Sequence, residues 1–187
     1  MSANTLCKIN LGAGADIRHG FVNHDIAALT GIDVVHDLNQ TPWPWAENSA
    51  DEIVAKDLIE HLDDFMAAME EIHRILVPGG IAKIKVPYWN SVSRYADPTH
   101  QRGFHEITFQ FFDPTSVYCQ ERHYYTHARF LVLEESFVVA PFTPYFAIPG
   151  VGERRIRGRW AKRFVGLIGN VLSNIILDLE VVLKKTD

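Results

Sequence analysis

The first half of the chain alternates short apolar runs with polar turns at a spacing that predicts strands separated by loops or a helix. Leu6–Leu11, Phe21–Ile26, Ile32–His36, Glu52–Ala55 and Ile81–Val86 are the candidate strands. Several are almost continuously apolar, which is the mark of strands covered on both faces in a parallel sheet. Between the fourth and fifth strands Phe65, Met69, Ile72 and Leu76 recur at spacings of three and four, an amphipathic helix that Asp63 or Asp64 can cap and that Pro78-Gly79-Gly80 stops. Strand, helix, turn and strand make a βαβ unit whose crossover is right-handed by default. Later, Phe130–Ala140 and Ile175–Lys184 predict two more strands. Just before the second, Phe164, Leu167, Ile168, Val171, Leu172 and Ile175 mark the stripe of another amphipathic helix.

This order predicts an α/β fold: one doubly wound, Rossmann-like, mostly parallel sheet of about seven strands, leaving room for an antiparallel last strand. At 187 residues, with no repeat or low-complexity linker, the chain is read as a single domain. Residues 5–87 form its ligand-binding half. Residues 88–187 hold a substrate-side segment, the late strands and the second helix. The first two crossovers are short, Ala15–Gly20 and Ala27–Gly31. An extended chain spans at most ~3.5 Å per residue, so such loops can retrace a strand but cannot hold a full helix. The expectation is an apolar sheet surface covered by the 160–175 helix or by a second subunit in a homodimer.

Composition is that of an ordinary globular protein, 47% hydrophobic and 22% charged. The net charge of -5 disfavours nucleic acid as a partner. One local exception is the run 154–163, where Arg154, Arg155, Arg157, Arg159, Lys162 and Arg163 stand without an acid. Such a run is most simply a solvated face; its sharper reading is contact with an anionic surface. Cys7 and Cys119 belong to no CxxC pair, which fits a reducing cytoplasm. No basic stretch followed by a long apolar run opens the chain, and no apolar run is long enough to span a bilayer.

Candidate chemistry gathers at the ends of the predicted strands. Gly12-Ala13-Gly14 makes a Gly-x-Gly turn after the first; glycine is needed where a chain turns sharply against a ligand. Ile17 occupies the place of the third glycine of a dinucleotide fingerprint, which counts against a nicotinamide enzyme. Asp25 closes the second strand, where a carboxylate can accept from two ribose hydroxyls. Asp37-Leu38 closes the third, and Lys56-Asp57 the fourth. Open α/β sheets bind ligands at this edge, and the four together suit one nucleoside.

In this order and spacing the stretch KINLGAG…GFVNHDI…DVVHDLN…DEIVAKDLIEHL…EEIHRILVPGGIAKIKVP resembles the class I S-adenosylmethionine (SAM)-dependent methyltransferases, in particular the small-molecule group called type 11. The resemblance implies that Gly12, Ala13 and Gly14 pack on the methionine part of SAM. It implies that Asp25 holds the ribose with Ile26 beside the adenine, and that Asp37 and Leu38 flank the adenine. Lys56 and Asp57 would line the pocket near the sulfonium, Lys56 through its backbone. A further segment, DPTHxR with the aromatic cluster after it, resembles part of the same group and sits where a methyl acceptor would enter.

There His100 is the first choice of general base, since neutral imidazole is available near pH 7. Asp97 is its orienting partner, and His61 and His105 are alternates. His123 and His127 stand four apart but lack a third ligand, so no metal is expected. The expected activity is methyl transfer to an O or N atom of a small molecule such as a sugar or polar metabolite. Its rivals are an RNA or protein methyltransferase and a non-catalytic SAM- or nucleoside-binding partner subunit.

Overall fold

The computed structural model describes residues 7–139 and 153–186. Eight strands form one sheet: β1 (Cys7–Leu11), β2 (Val22–Asp25), β3 (Val34–Val35), β4 (Ala50–Lys56), β5 (Leu76–Pro87), β6 (Phe130–Val139), β7 (Arg154–Ile156) and β8 (Asp178–Lys185). Their order is β3-β2-β1-β4-β5-β8-β6-β7. Strands β1 to β5 pair in parallel, and β8 enters antiparallel between β5 and β6. The expected Rossmann-like, mostly parallel sheet holds, with the strand order of a doubly wound fold. The strand beyond the expected seven is β7, the first part of the basic run, paired antiparallel with β6. The final residue of the expected strand Phe130–Ala140 lies outside the described residues.

Helix α1 (Phe65–Ile75) crosses from β4 to β5, with Asp64 Oδ1 accepting from the Met66 and Ala67 amides as its cap. It lays Phe65, Met69, Ile72 and Ile75 on the sheet. There they meet Ile9, Leu11, Ile53, Ala55, Ile84, Val181 and Leu183. The Pro78–Gly80 turn lies within β5, and pairing with β4 changes register across it, from Ala50↔Leu76 to Glu52↔Ile81. After β5 come three short helices, α2 (Val92–Ala96), α3 (Glu106–Gln110) and α4 (Val117–Glu121). Phe104, Phe109 and Phe112 are fully buried against Phe65, so the aromatic run is mainly core.

No helix joins β1 to β2 or β2 to β3, as the short crossovers require. Because β1→β2→β3 and β4→β5 run in opposite directions along the sheet, right-handed crossovers assign their helices to opposite faces. The face opposite α1 therefore lacks its helices, and here the expectation of an apolar surface fails. That face carries Lys8, Glu52, Lys83, Lys85, Glu180 and Ser136. Glu52 pairs with Lys8 and Lys83, and Arg155 reaches from β7 to Glu180. These ion pairs satisfy the charges of that face without a helix over them.

Helix α5 (Arg159–Val171) does not cover that face either. It lies on the α1 side, approaching through glycine: Gly166 faces Phe137, and a Cβ at Gly169 would stand 2.8 Å from Ile176 Cδ1. Asn90 Nδ2 donates to the Gly169 carbonyl at 2.7 Å. The larger apolar residues of the predicted stripe turn outward, with Phe164, Leu167, Val171 and Leu172 all exposed and Trp160 beside them. Among the described residues no helix is long and apolar enough to cross a membrane.

Burial also leaves a pH signature. His73 on α1 stands edge-on to Phe130 at 5.3 Å between ring centroids. Burial, then the charges of Lys185 and Arg129, push its pKa down to about 4. The folded state thus holds this imidazole neutral, while the unfolded chain protonates it near its ordinary 6.5. Its contribution is present above pH 6.5 and is lost as pH falls through 4. Chemical unfolding between pH 7 and 4 should show this loss, and His73→Gln should flatten it; an unchanged slope would remove the assignment.

Candidate functional site

The carboxyl ends of β1, β2 and β4 build one edge. Gly12 and Gly14 both take left-handed backbone, at φ 59° and 49°, which is why the turn requires glycine. Gly12 is also packed: a Cβ there would lie 2.8 Å from Leu58 Cδ1, whereas a Cβ at Gly14 would meet nothing within 4 Å. The turn is pinned to β2 by three bonds. Ala13 N donates to the His24 carbonyl at 2.8 Å, Gly12 N to His24 Nδ1 at 3.4 Å, and Gly14 N to Asp25 Oδ2 at 2.8 Å. His24 is buried, burial lowers its pKa, and its Nε2 meets the His36 carbonyl at 2.9 Å. A neutral ring protonated on Nε2 satisfies both contacts.

Beside this turn lies a hollow of about 450 Å³, lined by Gly12, Ala13, Asp16, Lys56, Asp57 and Lys85 among others. Lys56 turns its side chain across the hollow, Nζ 3.5 Å from Asp16 Oδ2, so it contributes more than backbone. Asp57 has φ 49°, left-handed backbone that a non-glycine residue adopts only when held there. The holder is Lys85, whose Nζ lies 3.0 Å from Asp57 Oδ1 and 3.0 Å from Asp178 Oδ2. Burial opposes the Lys85 charge, but the two carboxylates outweigh it and keep the ammonium protonated above its usual range. Burial raises the Asp178 carboxyl, with Lys85 opposing.

The other predicted cofactor residues stand along the same edge, outside the lining of this hollow. Asp25 is engaged with backbone, one oxygen holding Gly14 N and the other Ala27 N at 3.0 Å; each keeps lone-pair capacity for a further donor. Ile26 beside it is exposed. Asp37 Oδ1 accepts from Asn39 N in a local turn. Leu38 buries its side chain in the core, and its carbonyl accepts from Trp43 Nε1, so no apolar face is left for a ring.

Two residues past Asp57 the chain enters a 3-10 turn, Ile59–His61. Glu60 there is fully buried, and neither carboxylate oxygen has a hydrogen-bond partner. Burial pushes its pKa to about 8. The loop after β5 folds back over it: Gln101 N donates to the Glu60 carbonyl at 2.8 Å, which brings His100 Nε2 to 3.9 Å from Glu60 Oε1. The His61 and His100 rings stand 4.6 Å apart.

The Asp97 carboxylate does not hydrogen-bond the His100 imidazole; the two residues meet only through backbone, His100 N donating to the Asp97 carbonyl at 3.3 Å. Asp97 Oδ1 accepts from Thr99 N at 2.8 Å and Thr99 Oγ1 at 2.6 Å, and these bonds lower its pKa. Thr99 Oγ1 in turn lies 2.8 Å from His61 Nδ1. The group Asp97 orients is thus His61, through a hydroxyl. His105 Nδ1 accepts from Ile107 N and caps α3, a structural task. His123 and His127 are exposed. Among the described residues the one cluster of ligand-type side chains is Glu60, His61 and His100, their ligand atoms within 4.8 Å of one another. Sequence reasoning did not single out His24, Glu60, Lys85 or Asp178.

Comparison with known proteins bears on the fold and on the first half of the chain. Residues 9–84 match the family model described as a methyltransferase domain. Dimethylglycine N-methyltransferase of Parasynechococcus marenigrum (strain WH8102) is 38% identical over 72 residues, which cover 38% of this chain and 25% of that protein. The match thus spans a quarter of that relative's length. Among solved structures, a SAM-dependent methyltransferase of Thermotoga maritima, described as a possible histamine N-methyltransferase, superposes with TM-score 0.60 at 13% identity over 97% of this chain and 82% of that one. A SAM-dependent methyltransferase of Archaeoglobus fulgidus gives TM-score 0.60 at 15% identity, over 96% and 86% of the two chains. The fold is that of class I SAM-dependent methyltransferases, and residues 9–84 are the part that matches the methyltransferase-domain model.

Proposed function

We propose that this chain transfers a methyl group from SAM to an O or N atom of a small-molecule acceptor. The observation that carries the reading is convergence. The glycine turn, Asp25 and the Asp57–Lys85 pair share one sheet edge, and the Glu60–His61–His100 cluster begins three residues beyond Asp57. The turn suits an adenosyl ligand, since open space faces Gly14 and both Asp25 oxygens can accept again. SAM supplies an electrophilic methyl on a sulfonium. The methyl passes to an acceptor lone pair, the carbon–sulfur bond breaks with its electrons going to sulfur, and the acceptor's proton must leave.

What the chain supplies is alignment and a place for that proton. Backbone amides and Asp25 hold the donor side. The Glu60–His61–His100 cluster faces the acceptor side, with His100 the first choice to draw off the proton. A small acceptor is supported by the net charge of -5, unsuited to a polyanion, and by the relative whose name gives dimethylglycine as its substrate. The cytoplasm, which the two unpaired cysteines fit, would supply SAM.

The test is S-adenosylhomocysteine (SAH) binding by calorimetry, followed by a labelled-SAM screen of small amines and polyols. SAH should bind the wild type. Gly12→Ala forces left-handed backbone on a residue with a Cβ, a strain of about 1–2 kcal/mol, and pushes Leu58 aside; binding should weaken about tenfold. No SAH binding by the wild type would sink the proposal. SAH binding with no transfer to any acceptor class would favour the non-catalytic subunit.

A further inference from the structure

We propose that Glu60, His61 and His100 bind a divalent transition-metal cation on the acceptor side of the site. The proposal rests on reading this edge as the methyl-transfer site, but its geometry stands by itself. Three side chains of the ligand types that divalent zinc, iron and manganese prefer hold their donor atoms within 4.8 Å. A tetrahedral site with bonds of ~2.0–2.1 Å sets ligand atoms about 3.3 Å apart, a contraction that side-chain rotation provides.

Two further observations point to a missing partner. Both Glu60 oxygens and His100 Nδ1 are buried without a hydrogen-bond partner, although buried polar atoms ordinarily have one. A carboxylate that no protein donor satisfies, inside a wall of two imidazoles, is what a cation completes. The second is the Asp97–Thr99–His61 chain. Ionised Asp97 can only accept, so the Thr99 hydroxyl donates to it. The Thr99 oxygen must then accept from His61, which places the His61 proton on Nδ1 and leaves Nε2 with a free lone pair. Metal-binding histidines are oriented by an outer hydrogen bond in this way.

Two imidazoles and one carboxylate leave at least one coordination position open. The hydroxyl or amine of an acceptor is the group to fill it, since a cation lowers the pKa of a bound oxygen or nitrogen acid. In that state His100 is a ligand, and the acceptor's proton passes to solvent through the cation's effect. The substrate class narrows to acceptors with a metal-binding heteroatom, such as vicinal hydroxyls or an amino acid.

The experiment titrates metal-stripped full-length protein with Zn²⁺ and with Mn²⁺, reading thermal midpoint and bound metal per chain, alongside SAH calorimetry. One equivalent should bind and raise the midpoint. Glu60→Gln, nearly isosteric and uncharged, should weaken binding by more than about a hundredfold, beyond the 10–100-fold typical of an outer-sphere change. Thr99→Val should weaken it about tenfold, and His123→Ala should leave it unchanged. SAH affinity should be the same in all these variants. Absence of stoichiometric binding, or binding that Glu60→Gln does not weaken, overturns the proposal. Stoichiometric metal without SAH binding overturns the methyltransferase reading and leaves the metal site standing.

Discussion

Replacing Phe65 with alanine should lower folding stability by about 3–5 kcal/mol, the range for removing a large buried aromatic. Phe65 opens α1, and its ring stands edge-on to three others: Phe104 at 5.2 Å, Phe109 at 6.0 Å and Phe112 at 5.7 Å between centroids. All three come from the segment after β5, so one side chain fastens that segment to the helix that crosses from β4 to β5. The effect should reach the site. Phe104 N donates to the Pro87 carbonyl, and its own carbonyl accepts from Trp89 N. This pairing fixes the chain just after His100. Denaturant unfolding should show the loss at an unchanged m-value. SAH affinity should fall less than acceptor turnover, since the glycine turn is held by its own bonds to β2. A loss under about 1 kcal/mol would mean that the four rings are not the fastening.

That cluster marks where sequence reading reached and where it stopped. Features set by neighbours in the chain were legible: the Gly12–Gly14 turn, the Asp64 cap, the α1 stripe and the strand succession all follow from local rules. Features that arise when distant strands meet were less so. The strands of the cofactor half read as continuously apolar, yet Ala82-Lys83-Ile84-Lys85-Val86 and Leu179-Glu180-Val181 alternate, and that alternation states that one face stays wet. Joined to the short crossovers, it would have assigned the bare face to the charges rather than to a covering helix. For α5 the periodicity gave an apolar stripe without its direction. The direction was carried by Gly166 and Gly169, small residues on the opposite side that permit close approach.

At the site, Glu60 stands inside Asp57-Leu58-Ile59-Glu60-His61, where an acid reads as an ordinary helix lead-in. Its burial depends on residues 40 positions onward folding back across it. Asp97 was assigned to the wrong histidine for a related reason. Proximity in sequence favours His100, whereas the Asp97 turn points Thr99 at His61.

Lys85→Met is the sharpest test of how the bare face and the site depend on each other. Lys85 sits between Asp57, with side chain 55% exposed, and Asp178, at 8%. Water can screen the first once the ammonium is gone, but it cannot reach the second. Removing one partner of a buried pair costs about 3–5 kcal/mol, because a carboxylate is left without compensation. That is the expected loss at pH 7. The double variant Lys85→Met, Asp178→Asn should recover most of it, since no buried charge then remains. The pH dependence has a definite sign: without Lys85 the folded-state pKa of Asp178 rises further above its unfolded value. The penalty should therefore be least at low pH and grow as pH rises through the folded pKa. The site should respond separately. Asp57 loses the contact that holds its left-handed backbone, so SAH affinity should fall in both the single and the double variant, even where stability is restored. Equal destabilisation of single and double variants would show that the loss comes from the packing of the lysine stem and not from its charge. Recovery of SAH affinity along with stability would show that Asp57 keeps its conformation without help. The combination expected, stability regained and binding still weak, is the one in which a single ammonium both neutralises a buried acid and shapes the ligand-facing loop.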